Sequence, residues 1–187
     1  MIKWYTKIGN YIFDYIIIGL LLTLSTFLLL PFYAIYVGTI SFFKFDNNYK
    51  ILFKTIKENI KNIIYLTLII IIGLLLIYLT IVIDKSNLGS MFNQIVRYLI
   101  IGFMINIFIY PPIIMIEMKV TFKQLLKNTL YLSLVQFSKT IFMFLIIGLM
   151  IWLLTVEILV ILLFVPLVQT ISYISNKAIL ELKKEGD

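Results

Sequence analysis

From Asn62 to Ile83 the chain runs without a charged residue. That is the length a helix needs to cross the hydrocarbon of a bilayer, about 20 residues. Further long apolar tracts occupy 12–43, 94–117 and 140–175. Short lysine-rich stretches separate them. Of the 16 Lys and Arg residues, all but Lys85 and Arg97 lie at the N-terminus (Lys3, Lys7), in 44–61, in 119–139 or near the C-terminus. The residues are 62% hydrophobic and 13% charged, where a soluble domain is about half apolar and a quarter charged. A chain of 187 residues has no interior large enough for so much apolar surface, so lipid must cover part of it. The expected fold is all-α, a polytopic helical bundle forming one integral membrane domain over 1–187.

The lysines orient it. Cytoplasmic loops carry the Lys/Arg excess, so the tracts must be threaded to keep the basic stretches on one side. Tract 12–43 is too long for one crossing and short for two. Pro31 interrupts it, and a proline cannot continue a helix without losing a backbone bond. Splitting there predicts helices at about 12–30 and 31–43; the alternative is one kinked, tilted helix. Two crossings return Lys44 to Lys61 to the side of Lys3 and Lys7. Residues 62–83 then cross outward, 84–93 form an outer loop, and 94–117 return. A split of the last tract near Thr155–Ile158 makes spans at about 140–155 and 158–176. About six crossings place every clustered lysine, and both termini, in the cytoplasm. Five would leave one terminal group outside. Asp14 breaks the approach of the first apolar stretch and no small-residue cleavage site follows, so the stretch reads as a retained helix of a multi-pass cell-membrane protein rather than a signal peptide.

Two inner stretches are amphipathic. Between 49 and 61, continuing to Ile63, apolar Leu52, Phe53, Ile56, Ile60 and Ile63 recur at helical steps opposite Lys50, Lys54, Lys57 and Lys61. Between 119 and 137, Phe122, Leu125, Leu126 and Leu130 oppose Lys119, Lys123 and Lys127. Both patterns predict elbow helices lying in the interface against an anionic inner leaflet. Each elbow follows an inward helix and precedes an outward one, which would make two parallel repeats of the kind some transporters use. The net charge of +7 does not point to nucleic acid, because these basic residues flank bilayer-length runs instead of gathering on one folded face.

The order of features resembles the YesL-like family of small bacterial multi-spanning membrane proteins. The likeness rests on Leu30-Pro31, on Tyr33-Ala34-Ile35-Tyr36, on the segment Phe53 to Lys61, on Tyr110-Pro111 and on Leu126-Lys127-Asn128-Thr129-Leu130. The Thr-, Ile- and Gly-rich turn that often follows that family's first proline is absent. The resemblance implies an accessory role, since such proteins often accompany carbohydrate-uptake transporters, and it carries over no catalytic residues.

Polar residues in or beside the spans are the candidates for chemistry: Asp14, Asp84, Arg97, Asn106, Glu117, Glu157 and Gln169. Asp14 and Glu117 lie near inner ends, within reach of water or the basic stretches. Arg97 lies about one turn into its span. It is expected to pair with Glu157 or Asp84 and clamp the outer ends, the other reading being a substrate-anion site. Asn106 precedes Tyr110-Pro111-Pro112, where the prolines should free backbone carbonyls. Those carbonyls could line a cavity, or Asn106 could simply bond a neighbouring helix. Pro166 with Gln169 poses the same choice.

An enzyme is not expected. The chain has neither Cys nor His, which removes thiolate nucleophiles, Cys/His metal sites and a histidine base. Asp14 and Asp84 fall on opposite faces, so no aspartyl dyad forms, and no phosphate-cradling glycine motif or cofactor signature is present. The expected function is an auxiliary or assembly partner of another membrane protein, such as a transporter. The alternative is a small-solute transporter or channel subunit.

Overall fold

The computed structural model describes residues 2–25, 28–45, 47–83, 91–156 and 161–185. Every regular element among them is helical: α1 (Ile2–Ser25), α2 (Leu29–Lys44), α3 (Tyr49–Ile83), α4 (Met91–Ile109), α5 (Pro111–Glu117), α6 (Phe122–Val135), α7 (Phe137–Val156) and α8 (Ile161–Glu185).

The first break differs from the one expected at Pro31. Helix α1 stops at Ser25, whose hydroxyl donates to the Leu22 carbonyl at 2.7 Å, and Pro31 falls in the first turn of α2. A proline loses nothing there, because first-turn N–H groups have no intrahelical acceptor. As the split predicts, it belongs to the second helix, which begins two residues earlier, at Leu29. Between α2 and α3, Asn47 adopts φ 53°, a left-handed conformation that asparagine tolerates better than most residues. Asn48 then accepts from the Lys50 N–H at 2.9 Å and so caps the start of α3.

The two basic stretches fold differently. The expected separate elbow at 49–61 is continuous with 62–83 in one helix of 35 residues. Lys61-Asn62-Ile63-Ile64 contains no residue that breaks a helix, and at about 52 Å the helix exceeds the ~30 Å of hydrocarbon. The leading basic turns extend the span instead of forming an element of their own. The second stretch is a separate helix. Met118 is extended, and Thr121 with Gln124 forms a reciprocal capping box that starts α6. After Gln136 the chain turns by 100° into α7. The two sequence-similar units therefore have different shapes at their basic segments.

Specific contacts fix the directions of the helices. Asp14 of α1 meets Asn47 and Tyr49 beyond the end of α2, so α1 and α2 are antiparallel. Thr80 faces Arg97, while Gly73 faces Met104, so α3 and α4 are antiparallel as well. Gly19 lies against Val165 and Tyr15 against Gln169, which runs α8 opposite to α1. Lys44 reaches both Glu117 and Asn176, and Asn62 reaches the Val120 carbonyl. These contacts gather the ends of α2, α5 and α8 and the starts of α3 and α6 at one end of the bundle, together with the lysines around them.

The core is built on α2 and α5. Tyr33, Val37, Ile40 and Phe42 of α2 and Pro111 to Met115 of α5 are buried. With 16 residues, α2 is only about 24 Å long, and neighbours cover it nearly all round, as its apolarity on every face requires. The longer helices face outward. On α3, Leu75 is 57% and Tyr78 64% exposed, and similar side chains ring α4 and α7, a surface water cannot cover at acceptable cost. Among the described residues, Ile8–Ser25, Tyr49–Ile83 and Met91–Glu117 are long and apolar enough to cross a bilayer. The bent pair Phe122–Val135 and Phe137–Leu149 makes a fourth if counted as one span. The molecule is an all-α bundle consistent with a multi-span membrane protein.

Candidate functional site at the basic end of the bundle

The proline pair shapes this end from inside. A helical carbonyl normally accepts from the N–H four residues on, so Pro111 and Pro112 leave Ile107 and Phe108 without donors. The Tyr33 hydroxyl donates to the Ile107 carbonyl at 2.8 Å, and the Tyr36 hydroxyl donates to the Phe108 carbonyl at 2.7 Å. Each freed acceptor is thus closed by one tyrosine of α2. Both rings also meet Phe108 edge-on, with centroids 5.5 and 5.8 Å away. The two carbonyls, which could have lined a cavity, are capped within the core. The helical ladder resumes at Ile114, whose N–H reaches the Tyr110 carbonyl at 3.0 Å.

From this joint α5 carries Glu117 to the Lys44 ammonium. Lys44 also donates to Asn176 Oδ1 at 3.2 Å and lies 5.8 Å from the centre of the Phe45 ring. One lysine ties α2, α5 and α8. A second tie joins α1 to the α2–α3 turn: Asp14 accepts from Asn47 Nδ2 at 3.1 Å and from the Tyr49 hydroxyl at 2.9 Å.

Beside the Lys44 tie, α3, α5, the 118–121 linker and α6 enclose an open cleft of about 690 Å³. Its polar lining comes from Glu58, Asn59 and Asn62 on one wall and Glu117, Lys119, Thr121 and Gln124 on the other. Asn62 spans the two walls through its bond to the Val120 carbonyl at 3.2 Å. Around the cleft, Lys50, Lys54, Lys57 and Lys61 of α3 and Lys119, Lys123 and Lys127 at α6 are exposed. The apolar faces expected to lie on lipid are divided. Leu52, Ile63 and Leu125 are buried in the protein, while Phe53, Ile60 and Leu130 stay outside. Among the described residues no group of three or more Asp, Glu, His or Cys side chains is placed to hold a metal ion.

The remaining sequence candidates are dispersed. Arg97 donates through Nε to Thr80 Oγ1 at 3.1 Å and through Nη2 to the Thr80 carbonyl at 3.3 Å, clamping α4 to the last turn of α3. The proposed acidic partners, Asp84 and Glu157, lie outside the described residues. Asn106 Nδ2 turns back to the Gly102 carbonyl of its own helix at 3.2 Å. Gln169 accepts from the Tyr15 hydroxyl. Tyr33, Tyr36, Lys44 and Asn176 carried no functional expectation from sequence. The proline pair was the available signal for the tyrosines, since two missing donors imply two acceptors in need of partners.

Compared with protein-family models, curated proteins and solved structures, the chain has no significant match.

Proposed function

We propose that this chain is a multi-pass cell-membrane protein whose basic end faces the cytoplasm, and that it serves as an auxiliary or assembly partner of another membrane protein. The topology proposed has about six crossings and both termini inside, with Lys119, Lys123 and Lys127 against the anionic leaflet beside the exposed lysines of α3. An accessory role in carbohydrate uptake follows only from the resemblance to the YesL-like family and is part of the same proposal.

One observation carries this reading: the polar groups within the helices are turned inward to separate partners, while the open polar cleft lies at the basic end. A solute path needs its polar groups to converge on one cavity. Arg97, Asn106 and Gln169 bond to Thr80, Gly102 and Tyr15 respectively, and none of them lines the cleft. The observation favouring transport instead is that Asn106 Oδ1 and Thr39 Oγ1 are buried without a hydrogen-bond partner among the described residues, a costly arrangement in the absence of water.

Reporter fusions at Gly89 and Glu157 should both report an extracytoplasmic position. A cytoplasmic signal at Glu157 would reject the last hairpin. Crosslinking and co-purification from the native membrane should recover a specific membrane-protein partner through residues of the cleft, such as Asn59 and Gln124. Solute flux in liposomes with no partner recovered would replace the accessory reading with the transport one.

A further inference from the structure

The segment joining α5 to α6 lines the cleft with main chain as well as side chains. Met118 and Thr121 are extended, and Lys119 and Val120 between them belong to no helix. Part of this main chain is already used. The Met118 N–H reaches the Ile114 carbonyl at 2.9 Å, the Val120 carbonyl accepts from Asn62, and the Thr121 N–H donates to Gln124 Oε1 at 2.9 Å. The N–H groups of Lys119 and Val120 and the carbonyls of Met118 and Lys119 have no partner among the described residues. Nearby side chains are also half used. Asn59 and Asn62 direct their amide nitrogens to the Thr55 and Val120 carbonyls, which leaves both Oδ1 atoms as acceptors. Gln124 uses its Oε1 in the cap of α6, which leaves Nε2 as a donor. The carboxylates of the lining stand beside lysines, Glu117 at Lys44 and Glu58 3.9 Å from Lys54. Lys119 lines the cleft, and Lys57, Lys61 and Lys123 each adjoin a lining residue in sequence. None of these four has an ion partner among the described residues, so the charge left over is positive.

We infer that the cleft binds an extended, acidic segment from a cytoplasmic loop of the partner, held chiefly by its main chain. Each peptide group offers one donor and one acceptor, and the cleft presents both kinds of group, on carboxamides and on main chain. Helix α3 already holds one extended main chain in this way, through Asn62 at Val120. Asn59, three residues earlier on the same helix, offers the same kind of group to a second chain. An extended segment added along unpaired main-chain groups is a general mode of peptide recognition, in which main-chain bonds give the affinity. Carboxylates on the segment meet the lysines around the cleft. A free anion would use the lysines alone and leave the carboxamides and main-chain groups to water. The partner's loop as occupant rests on the accessory role and orientation proposed above.

The test is fluorescence anisotropy of the full-length protein in detergent micelles with a labelled, end-capped peptide of alternating threonine and glutamate. A second peptide has the same sequence with alternate main-chain nitrogens methylated, which removes N–H donors and keeps every charge. The parent peptide should bind, and the methylated one should bind about tenfold more weakly, the effect of one or two lost hydrogen bonds. Asn59→Ala should weaken the parent about fivefold, through one lost acceptor. Gly148→Ala, with open space at its Cβ, should leave binding unchanged. Inorganic phosphate should compete no better than chloride at equal ionic strength. No binding of the parent, equal binding of the two peptides, an unchanged affinity in Asn59→Ala, or displacement by phosphate would each overturn the inference. The accessory role is read separately, by recovery of a partner from the native membrane. A partner recovered without peptide binding removes the inference and leaves that role. Peptide selectivity with no partner recovered keeps the chemistry of the cleft and removes the partner.

Discussion

Replacing both Tyr33 and Tyr36 with Phe should destabilise the bundle by about 2–6 kcal/mol, since each substitution leaves a buried carbonyl without a donor at about 1–3 kcal/mol. The loss of two hydroxyls from buried rings changes packing very little, so the effect isolates the hydrogen bonds. A stricter form of the prediction uses the prolines. Pro111→Ala restores an N–H for the Ile107 carbonyl, and Pro112→Ala restores one for Phe108. Tyr33→Phe should therefore couple to Pro111→Ala, and Tyr36→Phe to Pro112→Ala. Coupling energies should be about 1 kcal/mol or more, and the crossed pairs should be additive within about 0.5 kcal/mol. Unfolding of the micelle-bound protein by a denaturing detergent measures all of these. If matched and crossed pairs behave alike, the tyrosines do not act as caps. Loss of the caps should also loosen the angle between α4 and α5, and with it the position of Glu117 at Lys44.

Gly38 is the second site of large effect. An added Cβ would stand 2.9 Å from Leu52 Cγ and 2.9 Å from Ile56 Cδ1, where α2 lies against the start of α3. Ala34 and Gly38, four residues apart and both buried, share one helical face, the small-residue arrangement that lets membrane helices approach closely. Gly38→Ala should cost about 1–3 kcal/mol and larger side chains more. Leu52→Ala should recover part of the Gly38→Ala loss by removing the obstructing branch. Gly73→Ala meets Met104 Sδ at 2.6 Å, but that side chain is flexible and can swing aside, so its cost should be smaller. Gly148 has open space around its Cβ position, and its substitution by Ala should be close to neutral. Equal effects at Gly38 and Gly148 would show that the α2–α3 contact does not limit stability. Because α3 also carries Glu58, Asn59 and Asn62, a displaced α2–α3 pair should weaken partner recovery through the cleft.

Much of the helical plan was readable because its signals are local. The uncharged stretch from Asn62 to Ile83 lies within α3, and the amphipathic stretch at 119–137 contains α6. Pro31 was placed at a break and in the second helix, which begins two residues before it, at Leu29, because a proline fits at any position of a first turn. The basic stretch at 49–61 has the periodicity of an interfacial helix. Periodicity alone does not say whether such a segment stops before the span or runs into it.

The contents of the site were less readable. The proline pair announced two unsatisfied carbonyls, but their donors lie 74 and 72 residues away in the chain. For Arg97, charge complementarity pointed to carboxylates. Asp84 and Glu157 lie outside the described residues, and antiparallel packing of α3 and α4 sets Thr80 opposite Arg97, with a hydroxyl and a carbonyl both within reach. Lys44 was one of a row of lysines in sequence. Only its position where α2, α5 and α8 meet distinguishes it from the exposed lysines of α3.

By itself, the sequence determined that this chain folds as apolar helices which need lipid around them, and that its lysines fall between those helices. Transfer of side chains between water and hydrocarbon sums along a segment, so composition and length suffice for that conclusion. The tertiary structure alone decided which polar groups meet: Tyr33 and Tyr36 with the proline-freed carbonyls, Lys44 with Glu117 and Asn176, Asp14 with Tyr49. A hydrogen bond or ion pair depends on distance and angle between atoms brought together by packing, and no spacing along the chain specifies those.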